Sequence, residues 1–427
     1  LYPDWILEGL AESQSLAREP AEEMLVRDAV LDGAIPDLST LHGRDALNEH
    51  ERGQFQVHAA LAVQWIAGRT PRGSAKRLFH VFNSDLPWPS ARLIKRAAGM
   101  TYGDVEKGLR AELERSYRAW ATGREEPSAF ARTARRPRNY YRVYELGPSW
   151  SPDGRKVAFF DDREGYHTIT VLDLESGDES SLLSVFLRVS IDAVKAQDRG
   201  LDWSPDGRTI CFVGDRIGRA YLYFKNLEGG GLRRIALPLD DISQPQYSPD
   251  GKRVAFVGLR SGKSDIYVLG VDSLEVFRLT RHDWPETDPA WSPDGKKLAY
   301  AGETDGQFDI YSIDLGTRQV ERLTSGATNE ISPAWRPDGG ALTFASDADG
   351  AFNIYSADLT SRAITRHTNV PGGAFAPRWN PGGDEILFTS YRHGRFTTCI
   401  MPPRVAGPAP ALDDPLRADS NRRWFVG

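Results

Sequence analysis

The hydrophobic pattern changes period once along the chain. Up to about residue 121, apolar residues recur at spacings of three and four, and from about residue 140 they come in short alternating runs. The first texture predicts helices and the second predicts strands. The clearest helical stripe lies in 104–121, where Val105, Leu109, Leu113, Tyr117 and Trp120 share one face. Further helices are predicted over 21–31, which stops at Gly33, over 54–67 and over 74–82. Near the start, Trp5, Ile6, Gly9, Leu10, Ser13 and Leu16 make one small-to-apolar face. Residues 123–138 are polar and basic with two prolines, and read as a linker.

Beyond the linker a repeat governs the pattern. An aromatic-x-Pro-x-Gly block occurs at Trp150–Gly154, Trp203–Gly207, Tyr247–Gly251, Trp291–Gly295, Trp335–Gly339 and Trp379–Gly383. The leading aromatics are 53, 44, 44, 44 and 44 residues apart, a period that marks a propeller. Within the block, Pro presets a tight turn, Asp accepts local backbone hydrogen bonds and Gly takes the left-handed conformation. In the fourth unit, Lys297–Ala301, Asp309–Ile313 and Val320–Thr324 read as strands, with turns at Thr304–Gly306 and Leu315–Thr317. Each unit is then four short antiparallel strands, one blade. The longer first interval implies a loop insertion or short helix near Ser180–Arg199. The fold class is mainly β: a six-bladed β-propeller with an N-terminal all-α domain. The expected divisions are a helical domain over 1–122, the linker 123–138, the propeller 139–403 and an irregular tail 404–427.

Closure of the ring is itself predictable. Fourth strands fall 28 to 33 residues after the leading aromatic, and after Trp379 that slot is Gly407–Leu412, too proline-rich for a ladder strand. Asn139–Leu146 is rich in strand formers and precedes the first repeat. It is expected to complete the last blade and remove the open edge.

Charge narrows the partners. The 53 Lys and Arg against 59 Asp and Glu give −6, with 20 basic and 19 acidic residues before Asn139 and 33 against 40 from there on. No basic excess is available to neutralise phosphates, so nucleic acid is not an expected partner. Hydrophobic content of 40% with 26% charged residues is that of a globular chain. Two cysteines, Cys211 and Cys399, cannot make a disulfide framework or a cysteine zinc cluster. No apolar run reaches the length of a membrane span.

The SPDG blocks with trailing D-I-Y and L-T elements resemble the WD-like repeats of TolB-type six-bladed propellers over about residues 139–402. The stretch Pro3-Asp4-Trp5-Ile6-Leu7-Glu8-Gly9-Leu10-Ala11-Glu12 resembles a helix of gluzincin-type zinc peptidases of the peptidase MA-like group. That resemblance implies Glu8 as a zinc ligand and Glu12 as a carboxylate behind it. The family also needs His-Glu-x-x-His, with two histidines on zinc and the Glu as base. The nearest string here, His50-Glu51-Arg52-Gly53-Gln54, lacks the second histidine. The expectation is that this motif lies upstream of Leu1 in an intact parent that binds zinc, and that this chain alone neither holds the metal nor hydrolyses peptides. Glu8 should then face an open groove, beside an apolar patch around Leu1 and Trp5.

Two functional readings follow. In one, the propeller binds or gates peptide substrates for the metallopeptidase. In the other, it is a non-enzymatic module that binds a protein partner. A propeller sugar hydrolase or lyase is a third, with no acid/base pair to assign. By resemblance alone the location is periplasmic or extracellular. The repeat aromatics read as packing and the Asp-Gly pairs as turns rather than calcium loops. Five residues before the aromatics stand Glu145, Asp198, Ile242, Glu286, Glu330 and Ala374. The four acidic residues are expected to ring one channel mouth and favour a cationic partner.

Overall fold

The computed structural model describes residues 20–35, 37, 58–66, 69, 95, 99–135, 144–161, 168–182, 193–194 and 200–408. They divide into two compact units between Arg124 and Glu125.

The first unit contains α1 (Pro20–Leu31), α2 (58–66) and α3 (Tyr102–Ala121). A reciprocal cap starts α3: Asp104 N–H donates to Thr101 Oγ1 (3.2 Å), and Thr101 N–H donates to Asp104 Oδ2 (2.8 Å). Val105, Leu109, Leu113 and Tyr117 are buried, as their spacing predicts. A Cβ at Gly108 would collide with the Trp65 ring of α2, so glycine is required where that indole lies on α3. Trp65 Nε1 there donates to Glu112 (3.1 Å). The helices expected over 21–31 and 54–67 correspond to α1 and α2. The segment 74–82, with Leu1, Trp5, Glu8 and Glu12, lies outside the described residues. No described helix is long and apolar enough to cross a membrane.

The second unit is a six-bladed propeller. Blade 1 is β2 (Leu146–Trp150), β3 (Lys156–Asp161), β4 (Thr168–Asp173) and β5 (Glu179–Ser181). Blade 2 is β7 (Leu201–Trp203), β8 (Thr209–Arg216), β9 (Arg219–Asn226) and β10 (Leu232–Ile235), with β6 (Ala193–Val194) added beside β8. Blade 3 is β11 (Asp241–Tyr247), β12 (Arg253–Arg260), β13 (Lys263–Gly270) and β14 (Val276–Arg278). Blade 4 is β15 (Glu286–Trp291), β16 (Lys297–Thr304), β17 (Gln307–Asp314) and β18 (Val320–Arg322). Blade 5 is β19 (Glu330–Trp335), β20 (Ala341–Ser346), β21 (Asn353–Asp358) and β22 (Ile364–Arg366). Blade 6 holds β23 (Gly373–Trp379), β24 (Ile386–Arg392) and β25 (Arg395–Met401). All pairings are antiparallel, and the strands that end in the repeat aromatics touch one another in a closed cycle from β2 to β23 and back.

The repeat aromatics bind neighbouring blades together. Trp203 Nε1 donates to the Ser149 carbonyl of the preceding blade (3.2 Å), Trp291 to Gln246 (3.1 Å) and Trp335 to Ala290 (3.1 Å). Trp150 makes the same bond to Arg378 (3.3 Å) across the seam between the last and first blades. Only tryptophan combines a large apolar ring with a donor at this reach. Tyr247 lacks that donor, and its backbone N–H goes instead to the Asp202 carboxylate (3.0 Å). The turns after the aromatics are equally regular. In the first, Ser151 Oγ donates to Asp153 (2.6 Å), Asp153 accepts from Arg155 N–H (3.0 Å), and Gly154 has φ +70°.

Closure follows the expected principle with different residues. The outer strand of blade 6 is β1 (Arg132–Thr133), paired with β25, inside the segment expected to be linker. Of the segment Asn139–Leu146 expected there, residues 139–143 lie outside the described residues. Leu146 begins the inner strand of blade 1, and Glu145 N–H donates to Phe396 (3.1 Å). The physical reason lies in side chains that strand propensity does not weigh. Glu125 pairs with Arg404 (2.6 Å), Glu126 with Arg392 (3.0 Å), and Arg135 is buried among three carboxylates. The polar, basic "linker" is held on the propeller by charge. The insertion after blade 1 contributes β6; the rest of 183–199 lies outside the described residues.

Candidate binding face

One end of the propeller carries the loops that lead into the inner strands and the hairpins joining each second strand to its third. We call this end the mouth face; the SPDG turns form the opposite face. Residues three before each aromatic shape the inner strands. Gly147, Gln244, Asp288, Ser332 and Ala376 all have left-handed φ, from +48° to +59°. Each occupies a break in ladder register, and a proline without an N–H follows it. Three of these side chains form a chain across blades 3, 4 and 5. Gln244 Nε2 donates to Asp288 Oδ1 (2.8 Å), and Asp288 Oδ2 accepts from Ser332 N–H (3.0 Å). One residue before the aromatics, Asp202 accepts from Ser149 Oγ (3.0 Å) and lies 3.6 Å from Arg378 Nη1. With the Tyr247 bond, four blades converge on this carboxylate. Burial pushes its pKa up, against the opposing pull of Arg378.

The expected ring of open carboxylates is corrected. Glu145, Glu286 and Glu330 are 5%, 1% and 0% exposed, and each turns into its surroundings rather than out to a ligand. Glu145 accepts from Thr398 N–H (2.8 Å) and pairs with Arg135 (3.1 Å). Glu286 accepts from the Thr280 hydroxyl and Ile266 N–H (3.3 Å), with His282 Nδ1 at 2.5 Å. Glu330 accepts from Thr328 Oγ1 (2.7 Å) and Ser346 Oγ (2.8 Å), and burial pushes its pKa up to about 8. Burial raises the pKa of Glu145 and Glu286 as well. The residue five before the aromatic begins, or directly precedes, an inner strand, where neighbouring strands offer donors. Asp198, like Glu8 and Glu12, lies outside the described residues.

Position in the repeat misses His282 and Trp284, which break it. Where blade 5 holds its glutamate with two hydroxyls, blade 4 uses an imidazole stacked on an indole, centroids 4.5 Å apart at 2°. Gly302 makes room: a Cβ there would lie 3.0 Å from Trp284 Nε1. Among the described residues no group of three or more His, Cys, Asp or Glu could hold a metal ion.

Residues 238–406 match the family described as the TolB beta propeller domain. The propeller is TolB-like. An uncharacterized protein of Agrobacterium fabrum is 31% identical over 86 residues, which are 20% of this chain and 26% of that protein. The match thus spans about a quarter of that relative's length. Among solved structures, the TolB-like propeller is similar to a putative TolB from Agrobacterium tumefaciens, 21% identical with TM-score 0.47, over 62% of this chain and 91% of that one. It is also similar to TolB from Acinetobacter baumannii, 18% identical with TM-score 0.45, over 71% of each chain.

Proposed function

We propose that the chain is a protein-binding module of the cell envelope, and that its TolB-like propeller is a rigid platform presenting the mouth face to a polypeptide. The observation that carries this reading is the engagement of the inner-strand polar groups. Glu145, Glu286, Glu330, Asp202 and Asp288 all have partners within the ring, so they serve to fix the scaffold. From blade to blade the hairpin tips differ, with Ile217, Ser261, Asp305 and His393 at corresponding places, and such loops are where binding residues concentrate on rigid folds. Location in the periplasm or at the cell surface belongs to the same proposal.

The test is a pull-down from envelope extract with the full chain. Charge reversal at two mouth-face tips, Asp305→Arg with His393→Glu, should abolish retention of a defined partner. Reversal on the opposite face, Lys252→Glu with Lys296→Glu, should leave it intact. Equal retention by both variants would reject the platform reading.

A second reading rests on the Pro3–Glu12 stretch. There Glu8 would ligate zinc, with Glu12 behind it, in a parent that supplies two histidines, and the propeller would gate peptide substrates. Its test is zinc content and peptide hydrolysis of a chain extended upstream to include those histidines. Glu8→Gln should lower both.

A further inference from the structure

The hairpin joining β8 to β9 in blade 2 is built against its own stability at three points. Ile217 has φ +51°, a left-handed conformation that β-branched residues avoid. The corresponding tips in blades 3, 4 and 6 carry Ser261, Asp305 and His393 before glycine, and Ile217 likewise precedes Gly218. A turn of this kind is best served by Asn or Asp before Gly. The residue is also 85% exposed, the highest value among the described large hydrophobic residues. Finally, Arg216 and Arg219 are register partners across the hairpin, a like-charge pair, with the Arg219 guanidinium donating to the Leu237 carbonyl (2.7 Å).

The surroundings give these costs a common direction. By strand alternation Arg216, Arg219 and Tyr221 share one side of the blade, and Arg234 joins them through its register with Tyr223. Arg219 and Arg234 lie over the Tyr221 ring, 5.9 Å and 5.4 Å from its centroid. The neighbouring tip in blade 3 also sets Arg260 opposite Lys263, but there the Lys263 ammonium pairs with Asp283 (2.7 Å). This cationic facet stands on a chain of net charge −6. An apolar anchor beside arginines and a tyrosine is the composition of a binding hot spot. Strain held at an exposed site is commonly retained for function.

We propose that the Ile217 tip, with Arg216, Arg219, Tyr221 and Arg234, is the docking point for an acidic polypeptide segment that carries an apolar side chain. The inference rests on the protein-binding reading above and names its site and partner chemistry. The anionic groups of the partner relieve the Arg216–Arg219 repulsion, and its apolar side chain covers Ile217.

The test uses the full chain and a labelled peptide of glutamates interrupted by leucines. Fluorescence anisotropy should show saturable binding that weakens with added salt. Ile217→Asn should bind at least tenfold more weakly while its thermal midpoint is unchanged or higher, because asparagine suits the turn. Arg234→Glu should weaken binding similarly, and peptides with Lys for Glu or Ser for Leu should bind poorly. Wild-type binding by Ile217→Asn, absence of binding to the acidic peptide, or preference for phosphatidylglycerol vesicles or single-stranded DNA would overturn the assignment. If the peptide fails while the mouth-face pull-down succeeds, only the hairpin assignment falls.

Discussion

The Arg135 guanidinium lies 2.8 Å from the Asp161 carboxylate, joining the segment that closes blade 6 to the second strand of blade 1. The same side chain reaches Glu145 at 3.1 Å and Glu179 at 3.0 Å, and lies over Phe159 at 4.9 Å. It is 8% exposed, so one buried cation holds three carboxylates at the seam of the ring. Backbone pairing of only two residues in β1 would be a weak closure. The ion cluster supplies what the short ladder cannot.

Arg135→Met should therefore destabilise the propeller by about 3–5 kcal/mol, because it strands buried carboxylates without their partner. Denaturant unfolding measures the loss. Amide exchange should accelerate first along β25 and β1. Unchanged protection there would mean that closure resides elsewhere.

The indole bonds between blades predict a graded series. Trp291→Phe keeps the ring but removes the donor to Gln246, and should cost about 1–2 kcal/mol. Trp335→Phe should cost about the same. A loss near zero in both variants would reduce the latch to simple packing.

Glu330 gives a pH dependence of definite sign. Its folded pKa of about 8 lies above the ordinary 4.5, so the folded state holds a proton that the unfolded chain releases. The stabilisation is complete below the ordinary value and is lost as pH rises through 8. Across that window stability should fall by roughly 1.4 kcal/mol per pH unit. Glu330→Gln should lower the slope in denaturant titrations by that amount, Glu145 and Glu286 keeping their own share, and a slope unchanged in the variant would assign it to other groups.

His367 acts at the acid side. Trp379 Nε1 donates to Thr343 Oγ1 (2.8 Å), which is hydrogen-bonded to Ser356 Oγ (2.6 Å) and through it to His367 Nε2 (2.8 Å). His367 Nδ1 in turn lies 2.7 Å from the Arg404 carbonyl and 3.3 Å from the Arg404 N–H, so both ring nitrogens have partners. Burial lowers the pKa of this imidazole. Its stabilisation is present above the ordinary histidine value of 6.5 and is lost as pH falls below it. Histidine NMR should show His367 still neutral at pH values just below the ordinary histidine value of 6.5. Protonation of His367 at or above that value would contradict the burial of its imidazole.

The repeat made the propeller legible because each blade restates the same aromatic, turn and strands at fixed spacing. The closing strand was not legible. Arg132–Thr133 has no strand signature, and it is flanked by ion pairs of Glu125 and Glu126 with Arg404 and Arg392 far along the chain, while Arg132 itself pairs with Glu385. The same limit applied to Glu145, Glu286 and Glu330. Their periodic position was readable, but the donors that bury them come from neighbouring strands. Asp202 and Arg378 meet only once the ring is closed. Ile217 was not singled out in the sequence; its cost appears only with its dihedral angle and exposure.

The platform reading is tested most directly by site-specific photo-crosslinking in cells. A photoreactive residue at Asp305 or His393 should trap one defined polypeptide, and the same residue at Lys252 or Lys296 should trap none. Both faces should remain equally folded by amide exchange. Crosslinks confined to the SPDG-turn face, or spread evenly over both faces, would contradict the proposal that the mouth face is where this propeller meets its partner.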